Sequence, residues 1–204
     1  MTQLESAKKN ILTPEIKKTA SSEGLPPKVI LKGVAEGKIV IPANIKHRIK
    51  KPCAIGAGLK TKINANIGTS TDKASLNVEL KKLKAAEEYG ADTIMDLSVG
   101  GDLKAIRAKI LAVSKIPVGT VPIYEVAVRA QQEKKGFLNF SAEDILKTLK
   151  TQAEEGVDFF TIHAGVPRET VGRLRDQGRV LDIVSRGGAI LVEWMLANKK
   201  ENPF

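Results

Sequence analysis

The segment Ser185-Arg186-Gly187-Gly188 holds the residue types best suited to a charged ligand. Glycines ahead of a helical pattern leave backbone N–H groups open to a phosphate, and arginine adds a planar, permanently charged fork. Four more candidates stand where short apolar runs end. Asn66 lies near the end of Thr61 to Ile67 and Met95 within Asp92 to Leu97. Tyr124 follows Pro117 to Ile123, and His163 closes Asp158 to His163. An amide and an imidazole hydrogen-bond ring nitrogens or hydroxyls, a phenol offers a flat face, and a thioether gives soft apolar contact. Each residue type also has a structural use. Met fills core gaps, Asp96 and Asp102 suit helix caps, and a strand Tyr or His can be buried and satisfied. His47, within His47-Arg48-Ile49-Lys50-Lys51, reads as solvated surface, and Cys53 reads as structural. There is no P-loop, nucleophile elbow, H-E-x-x-H or C-x-x-C.

These candidates need elements that gather strand ends on one side. Strand patterns start near 61, 92, 117, 158 and 180. Helical patterns lie between them: Thr71 to Tyr89, Gly101 to Val113, Glu125 to Gln132, Ser141 to Glu155, Arg168 to Gln177 and Gly188 to Asn198. Ser141 and Asp144 form a capping-box pattern. Alternating strands and helices predict an α/β fold with a parallel sheet, whose ligands gather at the carboxyl ends of the strands. The pitch fits a partial (β/α) barrel of about five βα units, over residues 61–204. A small basic N-terminal region, 1–60, precedes it. That region reads as irregular, with one or two short helices in Thr2 to Ser21 and a chain break at Ser22 to Pro27. Two strands follow, Val29 to Leu31 and Lys38 to Pro42, and Ala54 to Gly58 reads as a loop.

The charge is uneven. The chain carries 33 Lys and Arg against 23 Asp and Glu, a net +10. Residues 1–60 hold twelve of the bases and four of the acids, which is +8 of that total. No stacking aromatic interleaves them, so a solvated surface or an anion-attracting field is expected rather than nucleic-acid binding. No apolar run approaches the roughly 20 residues that span a bilayer, so no membrane partner is expected. One cysteine excludes an intrachain disulfide and fits a reducing, cytoplasmic location.

Longer strings carry a resemblance. They are Ile41 to Asn44, Thr61 to Ser70, Gly90 to Ser98 with Gly100-Gly101-Asp102, and Pro117 to Tyr124. Thr161 to Val166 and Ile183 through Trp194-Met195 to Pro203 complete the set. In this order, from about residue 38 to the end, the chain resembles the phosphomethylpyrimidine synthase family of thiamine biosynthesis. The resemblance implies conversion of 5-aminoimidazole ribotide into hydroxymethylpyrimidine phosphate, a radical lyase reaction. It implies S-adenosylmethionine, a [4Fe–4S] cluster and zinc as cofactors, and a (β/α)8 barrel. It implies substrate contacts at Asn66, Met95, Tyr124, His163, Ser185, Arg186 and Gly187. Their spacings of 29, 29, 39 and 22 residues suit one contact per βα unit.

The family's C-x2-C-x4-C cluster motif and its metal-binding histidines have no counterpart here, so no metal ligands are expected in this chain. The resemblance covers the family's N-terminal half, which suits a fragment, a split-gene product or a degenerate paralogue. A non-catalytic half-barrel module is the alternative function, and an aldolase-like use of Lys62 is a remote third. An open sheet edge with Val118, Val121, Phe159, Ile162, Ile183 and Val184 near it predicts a homodimer or pairing with a complementary C-terminal half. The single thiol predicts that the chain by itself is inactive as a synthase. Anaerobic reconstitution is expected to leave it without a stoichiometric cluster by iron counting, and a 5′-deoxyadenosine assay should read blank. Cleavage of S-adenosylmethionine by the chain alone would overturn this.

Overall fold

The computed structural model describes residues 1–133, 136–178 and 180–204. Its N-terminal part is more ordered than the expected irregular region. Helix α1 (Gln3–Lys8) starts with a Thr2–Glu5 capping box. Helix α2 (Pro14–Glu23) has the Thr13 side chain as cap, Pro14 in its first turn and a left-handed Gly24 at its end. Helix α3 (Pro27–Ala35) occupies the place where Val29 to Leu31 was expected to be a strand. Pro27 presets a helical φ in the first turn, and Ile30, Leu31 and Val34 then fall on one buried face. Strand β1 (Ile39–Val40) pairs antiparallel with β2 (Ile55–Gly56), within the segment read as a loop. Ile16, Ala20, Ile30, Ile39, Ile41 and Ala54 share a core of their own.

The remainder alternates. In order come β3 (Asn64–Ile67), α4 (Leu76–Glu88), β4 (Thr93–Asp96), α5 (Leu103–Val113), β5 (Val118–Thr120), α6 (Pro122–Gln132), α7 (Ala142–Glu155), β6 (Phe159–Phe160), α8 (Arg168–Gln177) and α9 (Arg186–Asn198). The four strands form a parallel sheet in the order β3-β4-β5-β6, a mixed α/β fold. Ser141 and Asp144 form the expected capping box on α7.

A fifth strand at Val180 to Val184 is absent among the described residues. Val180, Leu181 and Val184 are exposed, and no ladder pairs them. A short apolar run has no strand identity until a neighbouring strand takes its hydrogen bonds. The strand expected over Pro117 to Ile123 likewise stops at Thr120, because Pro122 opens α6.

Neighbours along β4 face opposite sides. Ile94 packs with Leu83, Ile106 and Ile110, under α4 and α5. Met95 joins the larger cluster with Ile123, Val126, Leu191 and Met195, which includes α6 and α9. In that cluster the Trp194 indole N–H donates to the Phe140 carbonyl at 2.7 Å, and the two rings stack 5.6 Å apart. Among the described residues, no helix is long and apolar enough to cross a membrane.

The N-terminal part is tied to the sheet by a buried ion pair. His47 was expected on the surface. Instead its side chain is 2% exposed, with Nδ1 2.6 Å from Oδ2 of the wholly buried Asp158 side chain. Its Nε2 lies 3.3 Å from the Ser114 carbonyl, so both ring nitrogens face acceptors and the imidazolium form fits. Burial alone would push the His47 pKa down, but the Asp158 hydrogen bond and charge, with the Ser114 carbonyl, hold it above the ordinary value. His47 thus binds its proton more tightly folded than unfolded. This stabilisation is complete below the unfolded pKa of about 6.5 and is lost as pH rises through the raised folded value. His47→Leu should cost on the order of 3–5 kcal/mol near pH 6, since it strands a buried carboxylate. Urea unfolding across pH should show the wild type losing stability over that upper window and the variant staying flat.

Candidate functional site

The expected contacts sit at the carboxyl ends of the strands, though not all in strand-end loops. Asn66 and Met95 are register partners on β3 and β4, and Met95 also pairs with Gly119 on β5. Asn66 is exposed and Met95 buried. The Thr161 hydroxyl, just past β6, lies 3.9 Å from the Met95 sulfur. Gly119 has no room for a Cβ, which would overlap the Phe159 ring from the next strand. Tyr124 lies in the first turn of α6 and His163 three residues beyond β6. Ser185, Arg186 and Gly187 do not end a strand. Ser185 is the N-cap of α9, its hydroxyl accepting the Gly188 N–H at 3.3 Å, and Arg186 and Gly187 form the first turn.

The structure joins these residues in pairs. The Arg186 guanidinium lies 5.2 Å from the centroid of the Tyr124 ring, a cation–π stack. Gly187 lies against the His163 imidazole: a Cβ at Gly187 would come 2.6 Å from Nδ1 and 2.7 Å from Nε2. Burial holds the His163 pKa below the ordinary value, so the ring is neutral near pH 7. Its Nδ1 is buried with no hydrogen-bond partner among the described residues. Leaving such a group unpaired costs about 1–3 kcal/mol, which a polar ligand atom would recover. The arrangement therefore offers a cation, an aromatic face, a helix N-terminus and an unpaired ring nitrogen together. Asn66 joins Met95 by strand register, and the Met95 sulfur in turn meets the Thr161 hydroxyl.

Two supports were not visible in the sequence. Arg107 on α5 is buried and donates from Nη1 to Glu125 and from Nε to Glu155, each at 2.7 Å. Gln152 donates to Glu125 at 2.7 Å and accepts from the Thr120 hydroxyl. The network fixes the turn of α6 that carries Tyr124. Asp96 borders it, its pKa raised by burial against the opposing pull of Ser98 and Arg107. Asp96 bonds Ser98 instead of capping α5, and Asp102 supplies that cap. Secondly, the Asn202 amide donates to the carbonyls of His163 at 2.8 Å and Val166 at 3.2 Å. Glu201 accepts the Arg168 N–H. These partners are tens of residues apart, so no local pattern announces them.

The donor set for a metal is thin. Among the described residues, no three of His, Cys, Asp and Glu converge. Cys53 is buried, its thiol pushed up to about 11 mainly by that burial. It lies beside Asp92 and Ile116, at the amino ends of the strands and away from Arg186. One protonated, buried thiol does not fit an iron–sulfur cluster.

Residues 2–204 match the model of the Radical SAM ThiC family. Across its whole length the chain is 51% identical to a phosphomethylpyrimidine synthase of Dehalococcoides mccartyi strain CBDB1, covering 47% of that protein. It is 48% identical to the phosphomethylpyrimidine synthase of Thermotoga petrophila and 49% to that of Desulforudis audaxviator, covering 48% and 47% of them. The chain thus spans about half the length of the curated relatives it matches.

The Gly187–His163 contact makes a direct prediction. Gly187→Ala should push the imidazole out toward water and bring its pKa up toward about 6.5. With only two histidines in the chain, an NMR titration resolves both. His163 should titrate below His47 in the wild type, and the gap should narrow in the variant. An unmoved His163 would show that the ring does not rely on the bare glycine.

Proposed function

The chain belongs to the Radical SAM ThiC family, and from that premise we propose that it carries the first part of the substrate pocket of a phosphomethylpyrimidine synthase. The substrate is 5-aminoimidazole ribotide and the product hydroxymethylpyrimidine phosphate. The reading is supported above all by the Arg186–Tyr124 stack beside the unpaired His163 nitrogen. Arg186 and the first turn of α9 take the ribotide phosphate. Tyr124 packs on the ring, while His163 and Asn66 hydrogen-bond ring nitrogens or ribose hydroxyls. Met95 gives apolar contact beside them. Ser185 acts through the helix cap it makes, because its hydroxyl is already engaged by Gly188.

We assign the four parallel strands to the start of a (β/α)8-type barrel. S-adenosylmethionine and a [4Fe–4S] cluster belong to the family's chemistry. This chain's thiol does not fit the cluster and its described residues offer no zinc site, so no step of radical formation is assigned to them. The contribution proposed for this chain is binding and orientation.

Partners follow the same reading. Val118 and Val121 are buried in the chain's own cores, so they are not part of an open face. Ile162, two residues past β6, and Leu181 and Val184, ahead of α9, remain exposed at 48%, 65% and 79%. We propose that these residues meet a second copy or the complementary half.

Titration calorimetry of 5-aminoimidazole ribotide into the chain tests the pocket. Arg186→Ala should lose about 1.5–3 kcal/mol, roughly 10- to 150-fold in affinity. Equal affinities would remove Arg186 from the phosphate site. Light scattering at micromolar concentration tests the surface: a strictly monomeric species that ignores an added C-terminal half would overturn it.

A further inference from the structure

We propose a second anion site, for a phosphate-bearing small molecule, in the cleft at the amino ends of β3, β4 and β5, with Lys18, Lys50 and Lys51 as its cations. The cleft has a volume of about 710 Å3. One wall is α2, with Lys18 and Ser21. The other sides are the 50–53 segment, residues 60–62 and the chain just before β4 and β5. It therefore lies at the opposite ends of the strands from Tyr124 and Arg186.

The cleft is lined by five lysines, Lys18, Lys50, Lys51, Lys60 and Lys62, against three acids, Glu23, Glu87 and Asp92, a net +2. Its three acids are already engaged. Glu23 takes the Lys62 ammonium at 2.6 Å and the Lys60 N–H at 2.9 Å. Glu87 accepts the Lys115 N–H at 2.7 Å, and Asp92 accepts the Ile63 N–H at 2.8 Å. The Lys60 ammonium donates to the Ser22 carbonyl. Lys18, Lys50 and Lys51 have no side-chain hydrogen bond or ion pair among the described residues. Three ammonium groups without an ion-pair partner thus share one concavity, and Glu87 and Asp92, held by backbone N–H groups, keep their charge within a lining that is positive overall.

The backbone beneath two of them is fixed. The N–H groups of Lys50 and Lys51 both donate to the Lys115 carbonyl, at 3.0 and 2.8 Å, and Pro52 and Cys53 are buried. Their charges therefore rise from a held segment, which lowers the ordering cost of binding. The volume is that of a small-molecule pocket, and no aromatic residue lines it for base stacking. Lysines meet phosphate as compact point charges, which suits a phosphate or polyphosphate group over a flat carboxylate. An anion held there would bridge α2, the 50–53 segment and the sheet. It also gives part of the +8 charge of residues 1–60 a function that the carboxyl-end pocket does not use.

The test uses pyrophosphate, titrated calorimetrically in an Arg186→Ala background, so that the carboxyl-end pocket does not contribute. Saturable binding should persist there and raise the thermal midpoint. Adding Lys50→Ala/Lys51→Ala should weaken it about tenfold or more, and Lys18→Ala on the facing wall should weaken it too. Lys8→Ala/Lys9→Ala, the same charge change outside the cleft, should leave it unchanged. Circular dichroism of each variant checks the fold, and the Lys18 variant stands in if the double variant unfolds. Absence of saturable binding, or equal weakening by Lys8→Ala/Lys9→Ala, overturns the proposal. Neither result bears on ribotide binding, which the Arg186 comparison reads separately.

Discussion

The carboxylate of Asp158 is the contact on which the remaining arrangement hangs. It lies one residue before β6, is wholly buried, and accepts from three directions. Oδ1 takes the Asn44 N–H at 2.8 Å, and Oδ2 takes the Val118 N–H at 2.7 Å along with His47. His47 passes the link to the Ser114 carbonyl at the end of α5. One charge thus ties the N-terminal part, β5 and β6 together at the amino end of the sheet. A buried charge is tolerated only when its lone pairs are filled and an opposite charge is near, and both conditions hold here. Because β5 leads to Tyr124 and β6 to His163, fixing the strands at this end sets where those side chains emerge at the other.

At the carboxyl end, small residues do the equivalent work. Gly119 admits the Phe159 ring, and Gly187 admits the His163 imidazole. Close approach there cannot be relaxed, because backbone and ring already touch. Behind them the Arg107 network clamps α5, α6 and α7 through carboxylates and an amide. Arg107 is buried and its two carboxylates are partly buried, so loss of both carboxylates would leave a buried guanidinium unpaired at a cost larger than the pairs' own worth. The first turn of α6 is therefore held from behind while its Tyr124 face stays open to Arg186.

The segment after α9 adds a clip of a different kind. Asn202 spans back to the His163 and Val166 carbonyls, and Glu201 to the Arg168 N–H. After the Thr161 N–H, which donates to the Thr120 carbonyl at 2.9 Å, the loop that follows β6 makes no further ladder hydrogen bond among the described residues. These three hydrogen bonds supply what a strand would otherwise provide, and they fix the loop that presents His163.

The sequence determined the α/β class, the parallel strand–helix alternation from residue 61 and most helices of that part, because those follow from local period and capping. The Ser141–Asp144 box and Pro14 in a first turn involve residues at most three apart, and they formed as read. The family resemblance rested on long ordered strings and is matched over residues 2–204. The tertiary structure decided what depends on distant partners. Val29 to Leu31 became a helix because Pro27 starts one and its apolar face finds Ile16 and Ala20. Val180 to Val184 formed no strand because no neighbour pairs with it. His47 left the surface for Asp158, 111 residues away. The pairing of Tyr124 with Arg186 and of His163 with Gly187 is equally nonlocal. Periodicity reports which face a residue takes within its own element, whereas a partner is chosen only when chain closure brings two elements within hydrogen-bond or van der Waals reach.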